Sequence, residues 1–371
     1  MRALETIAST PQDDFEALIL QKVSRSFALT IPQLPATLTR PVANAYLLCR
    51  IADTIEDEAG LTIDQKQKFF NDLTHVVHRD LAPDDFAAEL YPRLSDSTLP
   101  AEHELIKNTP IVMETFFQLN DRQQDVIRQC IETMSYGMLE FQKVQNPYGL
   151  ATLTQMNDYC YYVAGVVGDM LTGLFCDYSR QIDKNYDKLM HLAASFGQGL
   201  QMTNIIKDLW EDKKRGACWF PRDVFQDAGF DLTQLRAGQY DPNFGRGLKT
   251  LVGVAHGHLQ NALAYTLLIP RQEAGIRKFC MWAIGMAVFT LQNVNTHRDY
   301  ACGRDVKISR DTTRRVIMVS NASIKSNLLL KTFFSMATRG LPMPASKVQA
   351  SQPASPRNPA NLPYESQRNV N

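Results

Sequence analysis

The chain has 371 residues, of which 44% are hydrophobic and 21% charged, and its 39 basic and 39 acidic residues cancel to a formal net charge of zero. That is the composition of an ordinary globular protein with enough chain to bury a sizeable core, and the charge balance gives no footprint for a nucleic-acid partner. Seven scattered cysteines with no C-x-x-C pair read as buried, reduced thiols, which argues against a structural zinc site and points to a cytoplasmic protein. Residues 1–14 lack the apolar core of a signal peptide, and the longest apolar run, 279–291, falls short of the about 20 residues that cross a bilayer. No transmembrane anchor is expected.

From residue 14 onward the pattern is helix after helix with few alternating β-branched runs, so one all-α domain is expected over residues 14–338. Residues 15–23 form a short amphipathic segment. Pro32 and Pro35 then interrupt the chain in a loop, and Pro41 fits the first turn of the next helix. Periodicity runs through 62–79, a polar loop follows at 81–85, and further helices open at Pro100, at 110–119 and at 123–141. Asn146-Pro147-Tyr148-Gly149 is a turn. Long helices are expected over 153–175, 248–269 and 278–295, and a last one from 311 to about 336. Beyond Gly340 lie six of the chain's 18 prolines, mixed with Ser, Gln and Asn, so residues 339–371 read as a disordered tail.

Chemistry concentrates in two places. Asp208-Leu209-Trp210-Glu211-Asp212 follows a small-residue, apolar run, and on a helix Gln201, Asn204, Asp208 and Asp212 share one face. Asp53-Thr54-Ile55-Glu56-Asp57 repeats the D-x-x-E-D spacing after a similar run. A solvated helix face is the ordinary fate of one acidic pair. Two matching clusters, each carried by a core-like helix, require compensating charge, and Mg²⁺ takes such hard oxygen ligands while filling its shell with water and phosphate. The pair reads as two facing Mg²⁺ sites that bind a diphosphate. Lys213-Lys214-Arg215 beside the second cluster either neutralises it or contacts phosphate. Gly165 and Gly168, with Ala164, clear a strip along their helix, which serves a close helix crossing or an apolar ligand.

Ser24-Arg25-Ser26-Phe27, the first D-x-x-E-D, Tyr159-Cys160-Tyr161-Tyr162-Val163-Ala164-Gly165, and Gln201-x-x-Asn204-Ile205-Ile206-Lys207-Asp208 running into Glu211-Asp212 occur in that order. This constellation resembles the squalene/phytoene synthase family, and within it the squalene synthase branch. The resemblance implies a single-domain, all-α isoprenoid-synthase bundle around a deep central cavity. It implies that two farnesyl diphosphates condense head to head to presqualene diphosphate, which is then reduced to squalene with NADPH. Two or three Mg²⁺ ions would be held by Asp53, Glu56, Asp57, Asn204, Asp208 and Asp212, with Tyr159 essential near the cation. Ser24, Arg25, Phe27, Arg50, Val163, Ala164, Gly168, Gln201, Asn204 and Phe279 would bind substrate. Arg25, Arg50, Lys207 and Lys307 correspond to residues associated with NADPH or phosphate.

Three departures mark this chain. Lys207 stands where the branch has Arg, Ser309 and Arg310 shift the second basic position after Val306-Lys307-Ile308, and no counterpart of the eukaryotic C-terminal membrane anchor is expected. Alternative products are dehydrosqualene or phytoene, formed without NADPH, or presqualene diphosphate itself. A non-catalytic scaffold would have no need of the four aspartates, Tyr159 and Asn204 together. A water-insoluble product is compatible with transient membrane contact.

Overall fold

The computed structural model describes residues 11–24 and 26–350, and among them regular structure is helical throughout. The nearest approach to a sheet is one isolated bridge between Leu150 and Pro221, where Leu150 N–H donates to the Phe220 carbonyl at 2.9 Å. The all-α expectation holds.

Helix ends follow local chemistry. Thr62 accepts from Gln65 N–H while the Gln65 side chain returns to Thr62 N–H, a capping box that starts the helix Ile63–His78. Asn120 and Gln123 do the same for Asp121–Val144. Three expectations are corrected. The segment around Pro32 and Pro35 is a turn of helix, Phe27–Thr30, followed by a 3₁₀ turn, Ile31–Gln33, because a proline is accepted in a helix's first turn, where its missing N–H has no partner to lose. Pro41 therefore lies inside the helix Ala36–Asp57, which starts five residues before it. The single C-terminal helix is two, Arg310–Ser323 and Asn327–Ala337, because Ser326 restarts the chain by accepting from Leu329 N–H at 3.3 Å.

Two apolar cores result. The first gathers Leu47, Leu48, Ile51 and Ile55 of Ala36–Asp57 with Phe69, Phe70, Leu73 and Val77 of Ile63–His78. The second gathers Ile205, Ile206, Leu209 and Trp210 with Leu248, Leu251 and Leu259 of Pro242–Leu268 and with Ile284, Val288 and Leu291 of Ala274–Thr296. Val163 and Phe196 pack against both. Helix Tyr186–Lys207 lies between Leu153–Tyr178 and Pro242–Leu268. Its glycines let both neighbours approach: a Cβ on Gly197 would stand 1.9 Å from the Ala164 carbonyl oxygen, and one on Gly199 would stand 3.1 Å from His258 Cβ.

Leu153–Tyr178 and Ala274–Thr296 are long and apolar enough to cross a membrane, but 67% and 72% of their apolar windows are buried inside the fold, so both are core helices. Residues 341–350 lie along Pro242–Leu268, where His256 bonds the Pro342 carbonyl at 2.9 Å and Asn261 donates to the Val348 carbonyl at 3.2 Å. The rest of the proline-rich tail, 351–371, is outside the described residues.

Candidate active site

The first acidic motif closes the C-terminal end of Ala36–Asp57, whose last turn contains no basic residue. Carboxylates there face the negative end of the helix dipole and one another. The second motif lies where Tyr186–Lys207 ends: Asp208 leaves helical geometry, and the chain resumes as the short helix Leu209–Lys214. One motif thus belongs to the first core and the other to the second. They face each other where the cores meet.

Arg215 joins them. Its Nη1 lies 3.1 Å from Asp57 Oδ1 and its Nη2 donates to Asp212 Oδ1 at 2.6 Å. Burial first, then repulsion from Asp208 and from Asp57 across the cleft, pushes the Asp212 carboxyl up to about 6 despite Arg215. Asp53 also rises to about 6, through burial and the neighbouring Asp57, although Arg50 Nη1 lies 3.3 Å from it. Asp53 keeps 35% of its side-chain surface accessible and is still strongly desolvated, as befits the floor of a concave cleft. Arg50 is held on its other side by Glu102.

Glu56 is the innermost carboxyl. Gln142 Nε2 donates to it at 3.4 Å and the Tyr159 hydroxyl at 3.3 Å, while Lys66 contacts the Glu56 backbone carbonyl and Gln142 Oε1. Burial, then Asp57 and Asp53, pushes it up to about 8. The Tyr159 ring stacks on Trp219 with centroids 3.8 Å apart and planes 9° from parallel, and it also meets Phe141 at 5.3 Å. Burial first and then Glu56, Asp57 and Asp212 raise the Tyr159 phenol well above its ordinary value, so it keeps its proton and can donate. Immediately after Tyr159 the helix Leu153–Tyr178 relaxes into a π-turn over Tyr161–Gly165, the kind of irregularity often found at functional sites.

A strap seats the second motif from outside. Trp210 Nε1 donates to the Tyr300 carbonyl at 2.6 Å, the Tyr300 hydroxyl contacts the Ile206 carbonyl, and Gly303 N–H donates to Glu211 at 3.0 Å. A Cβ on Gly303 would meet Asp208 Oδ1 at 2.9 Å.

The remaining expected residues divide. Phe27 meets Phe279 at 6.4 Å and Tyr46 at 5.1 Å, and Phe279 also meets Phe175 at 6.2 Å. Ser24 Oγ caps the turn by accepting from Phe27 N–H at 3.0 Å, while Arg25 lies outside the described residues. Gly168 and Ala164 back directly onto Tyr186–Lys207: a Cβ on Gly168 would lie 2.1 Å from the Ala193 carbonyl oxygen. That is the close helix crossing. Gln201 is half-buried and Asn204 exposed, and Lys207 Nζ lies 2.9 Å from Asp208 Oδ2. Lys307 is exposed, and Ser309 caps Arg310–Ser323 by accepting from Thr312 N–H at 3.0 Å. Of the basic run, Lys213 reaches the Pro147 carbonyl and Lys214 is exposed; Arg215 is the residue that spans the motifs. Its role, the Trp219 stack and the Lys66–Gln142 support of Glu56 carry no sequence signature, because partners 60 to 158 positions apart meet only in the fold.

The donor set fits Mg²⁺: carboxylate oxygens from two motifs, with the Asn204 amide one turn before Asp208. Among the described residues no three acidic, histidine or cysteine side chains converge on one point, and the position between the motifs belongs to the Arg215 guanidinium, a cation supplied by the chain. Arg50 and Lys207 are each engaged by carboxylates of opposite motifs. A separate cleft of about 570 Å³, lined by Tyr91, Asp96, Thr98, His103, Glu104 and Lys107, contains none of the expected site residues.

The family model for squalene/phytoene synthase matches residues 20–312. Squalene synthase ERG9 of Candida albicans is 32% identical over 312 residues, which is 81% of this chain and 66% of that protein, so the chain spans just under two thirds of this relative's length. The solved structure of TcSQS with a ligand superposes with a TM-score of 0.72 at 25% identity, covering 89% of this chain and 92% of that one. A dehydrosqualene synthase in complex with ligand shares the fold at a TM-score of 0.59 and 21% identity, over 85% of this chain and 96% of that one. With two acidic helices brought face to face in an all-α bundle and the family model spanning both, the chain belongs to the squalene/phytoene synthase family.

Proposed function

We propose that this protein is a Mg²⁺-dependent prenyl transferase that condenses two molecules of farnesyl diphosphate to presqualene diphosphate and reduces that intermediate to squalene with NADPH. The observation that carries the reading is the convergence of Asp57 and Asp212, from two motifs and two cores, on a single cation beside the buried Tyr159. The Candida albicans relative is a squalene synthase, which favours that product.

Asp53, Asp57, Asp208 and Asp212 would hold two or three Mg²⁺, with Glu56 and Asn204 in support. When bound, the ions neutralise a diphosphate leaving group as it departs. The chain's own residues prepare for that departure. Tyr159, kept protonated, offers a hydrogen bond at the cleft floor, and its ring with Trp219 and Phe141 forms an aromatic wall that stabilises positive charge. Phe27, Val163 and Phe279 contribute apolar surface that keeps water from a carbocation.

Arg50 and Lys207, two of the residues assigned to the dinucleotide, are already engaged by carboxylates, so no step is derived through NADPH. Their engagement by carboxylates favours dehydrosqualene as the second reading. Purified protein incubated with farnesyl diphosphate and Mg²⁺, with and without NADPH, and analysed by mass spectrometry, separates the two. Squalene formed only with NADPH supports the first reading. A dehydrogenated C30 product in both reactions supports the second. No turnover of farnesyl or geranylgeranyl diphosphate removes both.

A further inference from the structure

We propose that the outer face of the helix Asn327–Ala337, with the basic residues around it, is a docking surface for an anionic lipid membrane. The helix is apolar on two opposite sides. Leu330 and Phe334 are buried in the second core. At helical spacing on the other side, Leu328, Leu329 and Met336 are 74%, 50% and 65% exposed, with only Thr332 among them. A helix that is apolar on both sides belongs in a core or a membrane, and among the described residues nothing covers one face here.

Charge names the occupant. Residues 310–350 hold seven basic side chains against Asp311 alone, a net charge of +6 in a chain whose total is zero. Arg314 pairs with that aspartate at 3.3 Å. Lys325, Lys331 and Arg339, which flank the exposed leucines, are exposed, and among the described residues no carboxylate pairs with them. Leucines ringed by lysine and arginine match an interface of acyl chains beneath anionic headgroups, into which such a helix sinks along its length. Two other covers fit less well. A second copy would bring Lys325, Lys331 and Arg339 against the same basic residues, since a two-fold interface is self-complementary. Residues 351–371 carry Arg357 and Arg368 against Glu365 alone and would add positive charge to positive charge. The inference stands on exposure and charge and does not depend on the reaction proposed above.

The test is cosedimentation of the full chain with phosphatidylcholine vesicles, with or without phosphatidylglycerol, at low and high salt. The wild type is expected to bind the phosphatidylglycerol vesicles and to release in salt. K325Q/K331Q/R339Q is expected to lose about a hundredfold in binding, from about fivefold per charge. L328S/L329S is expected to lose more than about tenfold, through lost apolar burial. These side chains are exposed, so each variant should keep the wild-type melting temperature and turnover in buffer, which are measured in parallel. Failure of the wild type to bind phosphatidylglycerol vesicles overturns the proposal even if the variants misfold. So does binding that survives L328S/L329S, which would mark a purely electrostatic surface for polyanions. A wild-type dimer that L328S/L329S converts to monomer would assign the face to a second copy.

Discussion

Asp57 and Asp212 stand on helices that belong to different cores of the bundle and share one guanidinium, that of Arg215, at 3.1 and 2.6 Å. This side chain supplies positive charge between the two motifs, so under the proposed function it would compete for the position that Mg²⁺ would take. Arg215→Gln is expected to lower the metal-free melting temperature by about 2 °C, because exposed ion pairs contribute about 1 kcal/mol or less. It should also increase the stabilisation produced by Mg²⁺ with a diphosphate analogue, since no guanidinium then has to leave. Thermal scans with and without Mg²⁺ check this; equal Mg²⁺ responses in variant and wild type would sink the competition.

The same cluster sets a pH dependence. Asp53 and Asp212 are raised to about 6 and Glu56 to about 8, against ordinary values of 3.8 and 4.5. A carboxyl whose folded value lies above its unfolded one binds more protons in the native state, so its contribution to stability is present at low pH and is lost as pH rises through the folded value. The metal-free protein should therefore gain stability as pH falls from about 8 to about 5. Mg²⁺ favours the ionised carboxyls and should flatten or reverse the trend. Asp212→Asn should raise metal-free stability at about pH 8 while abolishing the Mg²⁺ response. A metal-free melting temperature that climbs with pH across this window would mean the cluster is not destabilised by its own charge.

Much of this was legible in the chain. Asp53, Asp57, Asp208 and Asp212 announce themselves because carboxylates at helical spacing after a small apolar run conflict with ordinary amphipathic patterning. The helices were legible because caps such as Thr62 and Asn120 are local. What could not be read was long-range. Arg215 looks like one of three equivalent basic residues, and only the turn through Gly216, at φ +80°, accompanies the difference in where they point. Trp219 reads as core until it is found flat against Tyr159. The break at Ser326 was hidden because apolar residues continue on both sides of it, and the face that this break helps expose is invisible to periodicity.

Tyr159 and Trp219 form one unit with separable parts. The hydroxyl serves the cleft through Glu56, while the rings serve the core, where Trp219 is buried. Tyr159→Phe keeps the stack and removes the donor, so it should lower kcat by about a hundredfold or more with little change in melting temperature. Trp219→Ala removes a buried ring and should cost about 3–5 kcal/mol of stability as well as activity. Turnover of farnesyl diphosphate beside thermal unfolding reads both. Full activity in Tyr159→Phe would leave the phenol with a structural role only.

The glycine strip gives the sharpest test of how the site's frame is held. Alanine in place of a helical glycine ordinarily stabilises by about 1 kcal/mol. At Gly197, however, the added Cβ would lie 1.9 Å from the Ala164 carbonyl oxygen, and at Gly168 it would lie 2.1 Å from that of Ala193. Both obstacles are backbone, so the helices Leu153–Tyr178 and Tyr186–Lys207 must separate to admit a methyl group. Overpacking of this kind costs about 1–3 kcal/mol, which outweighs the propensity gain. It would also shift Tyr159 on one helix against Asp208 at the end of the other. Gly197→Ala and Gly168→Ala are therefore expected to lower the melting temperature by several degrees and to reduce turnover together. Gly216→Ala, where nothing lies within 4 Å, is the control that separates packing from backbone strain, because its φ of +80° penalises alanine without any clash. If Gly197→Ala melts at or above the wild-type temperature, the crossing is looser than the geometry states, and the strip returns to being a surface against which an apolar ligand could lie.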